Sequence, residues 1–291
     1  MQKKKEILIR KLDDTLELFD EGKLRSSLER AGASFDAIEN IVAHVKLHLV
    51  DGMTTSHIYK YAYEILKKKE KSKPTAARYS LKRAVIDLGP TGFPFEKFVG
   101  EIFRNKGYKI TLGSTLEGGC APHEIDVIAE KGKTLILVEA KFHNQLSVKS
   151  DLKVALYVKA RYEDLEKSNF GGLLKPGQKH QFWIVTNTDF TSNAIHYGKC
   201  VGMKMIGWSH PAGGGLQDLI EETALHPLTC LSTLSVGEKT SILNNGNVLC
   251  QDIKSNHNIL RDVGLSGKKF KNVLNEVNQV CVPRSIDKKI E

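Results

Sequence analysis

The stretch that most constrains this chain runs from Glu124 to Lys141: Glu-Ile-Asp-Val-Ile-Ala-Glu-Lys-Gly-Lys-Thr-Leu-Ile-Leu-Val-Glu-Ala-Lys. Two apolar, β-branched runs flank Lys131-Gly132-Lys133-Thr134, a hairpin pattern. A two-residue loop at Gly132-Lys133, glycine first as a type II′ turn prefers, pairs residue 131 with 134. Counting outward, Asp126 falls opposite Glu139, and opposed residues share a face of the sheet. Side chains alternate along a strand, so Lys141 shares that face as well. The bland alternative is an edge hairpin with a solvated polar face. Against it, Leu135 to Val138 read as buried strand, where a lone Glu and Lys are costly.

Two carboxylates and an ammonium on one face suit metal-assisted phosphodiester cleavage. Mg²⁺ takes oxygen ligands and keeps several waters, so one or two carboxylates suffice. Such an ion polarises a phosphoryl oxygen and lowers the pKa of a bound water. The ammonium of Lys141 orients that water or offsets developing charge. The donors are hard, which favours Mg²⁺ or Mn²⁺ over zinc. His123 and His143 flank the hairpin, touching substrate, standing behind the site or simply exposed, and are not taken as ligands.

The 291 residues allow two or three domains, and the net charge of +9 suits a polyanionic partner, nucleic acid first. The five cysteines are odd in number, far apart and never paired as C-x-x-C, which argues against a zinc site or a disulfide framework. No apolar run reaches membrane-spanning length, and Ile7-Leu8-Ile9 is too short for a signal-peptide core. A cytoplasmic protein is expected.

In residues 1–88, Ile7 to Lys11 and Leu16 to Phe19 read as a hairpin across Asp13-Asp14. Asp20 caps a helix through Leu24 and Leu28. Phe35, Ile38, Ile41, Val42 and Val45 recur at helical spacing, and Thr54-Thr55-Ser56 opens a third helix. Ile-Arg-Lys, then Glu-Leu-Phe-Asp-x-x-Lys-Leu, then Asp-Gly-Met-Thr-Thr-Ser-His-Ile resembles an ATP-cone, a regulatory nucleotide-binding domain. The resemblance implies ATP or dATP as an allosteric ligand. By the same resemblance Lys11 and Lys23 meet phosphate, Glu17 is the hairpin acid, and Thr55 and Ile58 lie on the adenine side. The family's Lys-Arg-Asp-Gly is here Lys11-Leu12-Asp13-Asp14, so a phosphate arginine and the turn glycine are absent. Gly237-Glu238-Lys239-Thr240 falls short of a Walker A motif, and ATP hydrolysis is not expected.

The basic run Lys67 to Pro74 reads as a solvated linker or a phosphate-contacting patch, with a helix continuing through Arg83. Leu88-Gly89-Pro90-Thr91-Gly92 breaks the chain and marks a boundary. In residues 89–224, Pro94 opens a helix with an apolar stripe of Phe95, Phe98, Val99, Ile102 and Phe103, beside which lies Glu96. Tyr108 to Leu112 is strand-like, and Gly113 to Pro122 reads as a glycine-rich loop. After the hairpin come a helix from Asp151 to Lys167, a buried strand from Gln181 to Thr186, a helix from Ser192 to Val201 and a strand from Met203 to Trp208, implying parallel additions to the sheet. Lys153, Lys159 and Arg161 either track a phosphate backbone or form a solvated face.

This order is similar to the PD-(D/E)xK nuclease core and resembles Mrr-like restriction endonucleases through Phe95-Glu96, Gly107-Tyr108, His123-Glu124-Ile125-Asp126-Val127 and Val138-Glu139-Ala140-Lys141. The resemblance implies that Asp126 and Glu139 hold the metal, Glu96 supports it, and Lys141 serves the attacking water. In residues 225–291, Leu234-Ser235 with Leu243-Asn244 and Leu265-Ser266 with Leu274-Asn275 repeat at one spacing, each Ser a good N-cap. These units loosely resemble helix-hairpin-helix modules; a dimerisation or packing subdomain is the alternative.

The expected fold class is therefore α/β in the multidomain α+β sense: an N-terminal helical cone with a small hairpin, a mixed-sheet nuclease core, and a C-terminal helical subdomain. The expected function is a nucleotide-regulated, Mg²⁺-dependent DNA endonuclease, acting as a homodimer if both strands are cut. The alternative is a nucleotide-responsive DNA-binding regulator that keeps the nuclease fold without activity.

Overall fold

The computed structural model describes residues 7–69 and 74–283, so residues 70–73 of the basic run lie outside it. The N-terminal hairpin forms from β1 (Leu8–Arg10) and β2 (Leu16–Leu18), with Leu8 opposite Leu18 and Arg10 opposite Leu16. Asp14 takes the positive φ of 62° that a turn glycine would take more cheaply. Asp13 secures the turn by accepting from the Thr15 hydroxyl at 2.6 Å and its backbone N–H at 3.2 Å. Helix α1 (Glu21–Ala31) starts at Asp20, whose carboxylate accepts from the N–H groups of Gly22 and Lys23. After α2 (Phe35–His48) comes β3 (Met53–Thr54), which pairs in parallel with β1. Two residues are too short to show a strand period, so β3 left no mark in the sequence. Thr54 then accepts from the His57 N–H at 3.1 Å and starts α3 (Thr55–Lys69). Phe35, expected in the apolar stripe of α2, is 74% exposed, because the packed face begins one turn later at Ile38.

The expected single helix through Arg83 is two: α4 (Pro74–Tyr79) and α5 (Leu81–Ile86), broken at Ser80, whose hydroxyl donates to the Ala77 carbonyl. The break lets one short stretch serve three cores. Ala76 and Tyr79 pack in the N-terminal core, Leu81, Val85 and Leu88 in the central core, and Ala77 and Ala84 in the C-terminal core. Arg78 also donates to the Gln279 carbonyl at 3.2 Å.

The central region opens with α6 (Phe93–Asn105), whose predicted stripe is buried throughout. A five-stranded sheet follows in the order β4 (Lys109–Glu117), β5 (Pro122–Lys131), β6 (Thr134–Lys141), β7 (Lys179–Thr186), β8 (Lys204–Ile206). The first three strands are antiparallel; β7 and β8 add in parallel through α7 (Leu152–Lys167) and α8 (Ser192–Cys200), as the alternation implied. Helix α9 (Leu216–Thr223) closes the region. The expected loop from Gly113 to Pro122 is corrected: β4 continues to Glu117 and β5 starts at Pro122. The residues between hydrophobic runs looked loop-like because half of this antiparallel pair faces solvent and carries small polar side chains.

The C-terminal region packs a 3₁₀ turn (Leu228–Cys230) with α10 (Val236–Asn244), α11 (Cys250–Ser255), α12 (Asn258–Asp262) and α13 (Gly267–Val280). Ser235 caps α10 in a reciprocal pair with Glu238. Ser266 makes no side-chain cap to α13, where Gly267 enters the helix at a φ of +57°. Buried Glu276 accepts from the backbone and hydroxyl groups of Ser232 and Thr233, so its charge is fully hydrogen-bonded. The five cysteines are free thiols, yet Cys230 and Cys250, remote in sequence, bring their sulfurs to 3.8 Å in this core. Among the described residues no helix is long and apolar enough to cross a membrane.

Candidate active site

The turn of the central hairpin forms as its sequence requires. Lys131 pairs with Thr134, and Gly132 takes a φ of 55°. The ladder runs back to Val127 opposite Val138 and stops there. Continuing the same register would set Asp126 opposite Glu139, at the point where β5 leaves β6. On its other side β5 also loses regular pairing at this residue: Leu112 pairs with Val127 and Ser114 with Ile125, while Gly113 between them has a φ of 55°. Asp126 thus sits at a splay in the sheet. Its carboxylate fills the gap by accepting from the Ala140 N–H at 2.7 Å.

The kink changes which layer each residue meets. Val127 and Ala129 pack in the core with α6, whereas Ile125 packs in the core with α7. Strict alternation would keep all three together. Leu135 and Leu137 also face the α7 core, and Glu139 and Lys141 continue their face along β6. Glu96 comes from the other layer, in the first turn of α6. Phe95 anchors that turn and packs its ring against that of Phe142, just past β6, with centroids 5.5 Å apart and the planes tilted by 41°. Gly89 closes the same corner: a Cβ there would come within 2.8 Å of the Phe142 ring and 2.7 Å of Asn144.

The electrostatics record a concentration of negative charge. Burial, and then the charge of Glu139, push Asp126 up to about 7. Burial, then Glu124 and Glu139, raise Glu96 as well. Glu139 is held by Arg161 of α7, whose Nη1 lies 2.7 Å from its Oε2. In the sequence Arg161 stands with Lys153 and Lys159 as a phosphate-backbone candidate or a solvated charge. The structure corrects this, since Arg161 turns inward to a carboxylate 22 residues away. Lys159 pairs with Glu163 at 3.1 Å, and Lys153 is exposed.

Half-buried Lys141 has no ion pair among the described residues. Burial, then its charge, hold His143 below the ordinary histidine value. His143 fixes the segment after β6: its N–H donates to Asn187 at 2.8 Å, and its Nε2 lies 2.9 Å from the Ser150 hydroxyl. His123 stands with Asp164, which also accepts from the N–H groups of Cys120 and Ala121 and so secures the β4–β5 turn.

Asp126 and Glu139 offer hard oxygens, and a cation would relieve the repulsion that lifts Asp126. The donor chemistry therefore fits Mg²⁺ or Mn²⁺. Among the described residues no three His, Cys, Asp or Glu side chains are close enough to hold an ion. Glu96 is thus felt through its charge, and waters or substrate oxygens would complete the coordination.

In the N-terminal region Glu17 lies between Lys11 at 3.0 Å and Lys23 at 2.9 Å. Glu17 and Lys23 line a cavity of about 590 Å³ with Phe19, Gly22 and Lys46. Thr55 and Ile58 are not part of that wall; Ile58 is 7% exposed in the helical core. A second hollow of about 400 Å³ lies along α3, against Thr54, Ser56, His57, Lys60 and Tyr61.

Three family models match in succession: the ATP cone domain over residues 7–86, a restriction endonuclease domain of the Mrr type over 90–208, and the AF1548-like C-terminal domain over 226–281. The chain is 35% identical over 183 residues to an uncharacterized protein of Archaeoglobus fulgidus, covering 62% of this chain and 99% of that one. It is similar to the crystal structure of AF1548, a protein of unknown function, with a TM-score of 0.53 and 33% identity over 66% of this chain and 98% of that one. Against the MspJI restriction endonuclease in complex with a 27-mer oligonucleotide, identity is 15% over 64% of this chain and 39% of that one, and the TM-score of 0.32 is too low to draw on.

Proposed function

The chain belongs to the AF1548-like family, here as an ATP cone fused to an Mrr-type restriction endonuclease domain, and we propose that it is a nucleotide-regulated, divalent-metal-dependent DNA endonuclease. One observation carries the reading. Asp126 sits where the sheet splays, at the position that continues the hairpin register to Glu139, and is raised by burial and then by the charge of Glu139, while Lys141, without an ion pair among the described residues, lies two residues along the same strand. Desolvating two like charges at a strand end is expensive, and such costs concentrate where chemistry needs them.

In this reading Asp126 and Glu139 hold Mg²⁺ or Mn²⁺, and Glu96 adds negative potential from α6. The ion, when bound, supplies Lewis acidity and an activated water. Lys141 would orient an attacking water toward the phosphate and would offset charge on the phosphoryl oxygens. The net charge of +9 draws DNA to the surface. Lys11 and Lys23 bind the phosphates of ATP or dATP, which must first separate Lys11 and Lys23 from Glu17. The path from cone to nuclease is short, because α4 and α5 belong to all three cores. Gating follows if nucleotide favours one of two packings of this joint. Residues 1–88, 89–224 and 225–291 are the corresponding functional units.

A second reading, a DNA-binding regulator without cleavage, draws on the Arg161 contact that occupies Glu139. Plasmid incubated with Mg²⁺, with and without ATP, separates the two. Metal-dependent nicking that responds to ATP and disappears in Asp126→Ala supports the nuclease. Salt-sensitive binding with no nicking under any metal selects the regulator.

A further inference from the structure

Arg161 is the best-placed charged side chain that the proposed reaction leaves unused. Its Nη1 donates to Glu139 at 2.7 Å, and the two side chains are only 13% and 19% exposed. The guanidinium also lies over the Tyr157 ring, 5.2 Å from its centre. Lys141 is nearer in sequence to Glu139 and on the same strand face, yet among the described residues it makes no ion pair. The site thus assigns its two cations differently: one is held against a carboxylate, the other is left free.

We propose that Arg161 is the resident counter-ion of Glu139, a positioning residue that holds this carboxylate in the metal-free protein and yields it when a divalent cation enters. The inference rests on the metal-dependent reading above. Two carboxylates in a poorly solvated corner repel one another, and a fixed guanidinium offsets one of the charges. A divalent cation does the same with twice the charge, so cation and guanidinium compete for one oxygen set. Arginine suits the role better than lysine, because its planar fork stays charged and orients the carboxylate while it is held. Once displaced, a guanidinium kept near by Tyr157 faces a doubly charged ion and is repelled unless an anion arrives with it. A DNA phosphate is that anion. Metal and DNA are therefore expected to bind cooperatively, with Arg161 passing from Glu139 to a phosphate oxygen.

Competition predicts an effect that simple damage to the fold would not produce: removing Arg161 strengthens metal binding. The test titrates Mn²⁺ into the DNA-free full chain, reading free Mn²⁺ by electron paramagnetic resonance. Asp126→Asn should bind at least roughly tenfold more weakly than wild type, as expected on losing one charged ligand. Arg161→Gln should bind roughly tenfold more tightly, the equivalent of one charge-assisted hydrogen bond no longer opposing the ion. Arg161→Lys, which keeps the charge but loses the fork, should fall between and carries the comparison if the Gln variant does not fold. Mn²⁺ binding that depends on Asp126 but is unchanged or weaker in both Arg161 variants overturns the counter-ion role alone. Binding that ignores Asp126 overturns the metal-site reading, and this inference with it.

Discussion

The molecule carries two clusters of charge that are built in opposite ways. In the N-terminal cone, Glu17 is flanked by two lysines near the surface, and hydrogen bonds from Lys23 and then Lys11 lower its pKa. In the nuclease core, Asp126 and Glu139 are drawn together out of water, and Asp126 is raised. The first cluster sets one carboxylate between two ammonium groups, so on the proposed reading a triphosphate takes the place of Glu17. The second draws buried carboxylates together, with Arg161 held against Glu139, so on the proposed reading a cation relieves their repulsion. On the proposed reading, one is arranged to exchange an anion and the other to accept a metal.

The largest expected effect separates the clusters by function. Asp126→Ala or Lys141→Ala should reduce Mg²⁺-dependent cleavage on the order of 10³-fold, the scale of removing one preorganised charged group from a reaction centre. Lys23→Ala should leave nucleotide-free cleavage unchanged. Equal losses at both sites, measured by single-turnover nicking, would break the comparison.

The next separates them by the sign of their pH dependence. The folded value of Asp126 is about 7 against an ordinary 3.8, so folding takes up a proton between these limits and stability falls as pH rises through the window. Asp126→Asn removes that loss: in metal-free buffer its unfolding free energy should exceed wild type by about 2 kcal/mol near pH 8 and by nothing near pH 4, after discounting for partial solvation. Glu17 runs the other way. Its lowered value contributes stability above the unfolded carboxylate pKa, and that stability is lost as pH falls through the folded one. Glu17→Gln should therefore lower Tm slightly at neutral pH, with the difference vanishing in acid. Thermal melts of both variants across pH check the two signs together.

A smaller effect sharpens the cone half. Lys23→Ala should weaken ATP binding by about tenfold, as expected for one ammonium–phosphate contact. Unchanged affinity by calorimetry would move the nucleotide away from the Glu17 cavity, and the hollow along α3 would become the place to look.

Much of this was legible in the sequence wherever the signal was local. The Gly132-Lys133 turn fixed the hairpin register, Asp20 and Ser235 announced their helices, and the Phe95 to Phe103 stripe gave α6 its buried face. What sequence could not give depends on contacts between remote segments. Arg161 and Glu139 meet only once α7 packs across the sheet, and an exposed basic helix face looks the same on paper whether it turns to solvent or inward. The splay at Asp126 was hidden for a similar reason. Gly113 reads as a loop residue until the continued pairing of β4 and β5 makes it a kink inside a strand. The helical break at Ser80 answers to three cores at once, and a periodicity read along one helix cannot register three partners.

The most direct measurement is a crystal structure of the full chain with Mn²⁺ and a non-cleavable DNA duplex, with the ion located by its anomalous signal. The expected result is a peak coordinated by both Asp126 and Glu139, with Lys141 directed to the adjoining water and Arg161 moved from Glu139 to a phosphate oxygen. An ion bound elsewhere, with Glu139 still paired to Arg161 beneath the DNA, would contradict it.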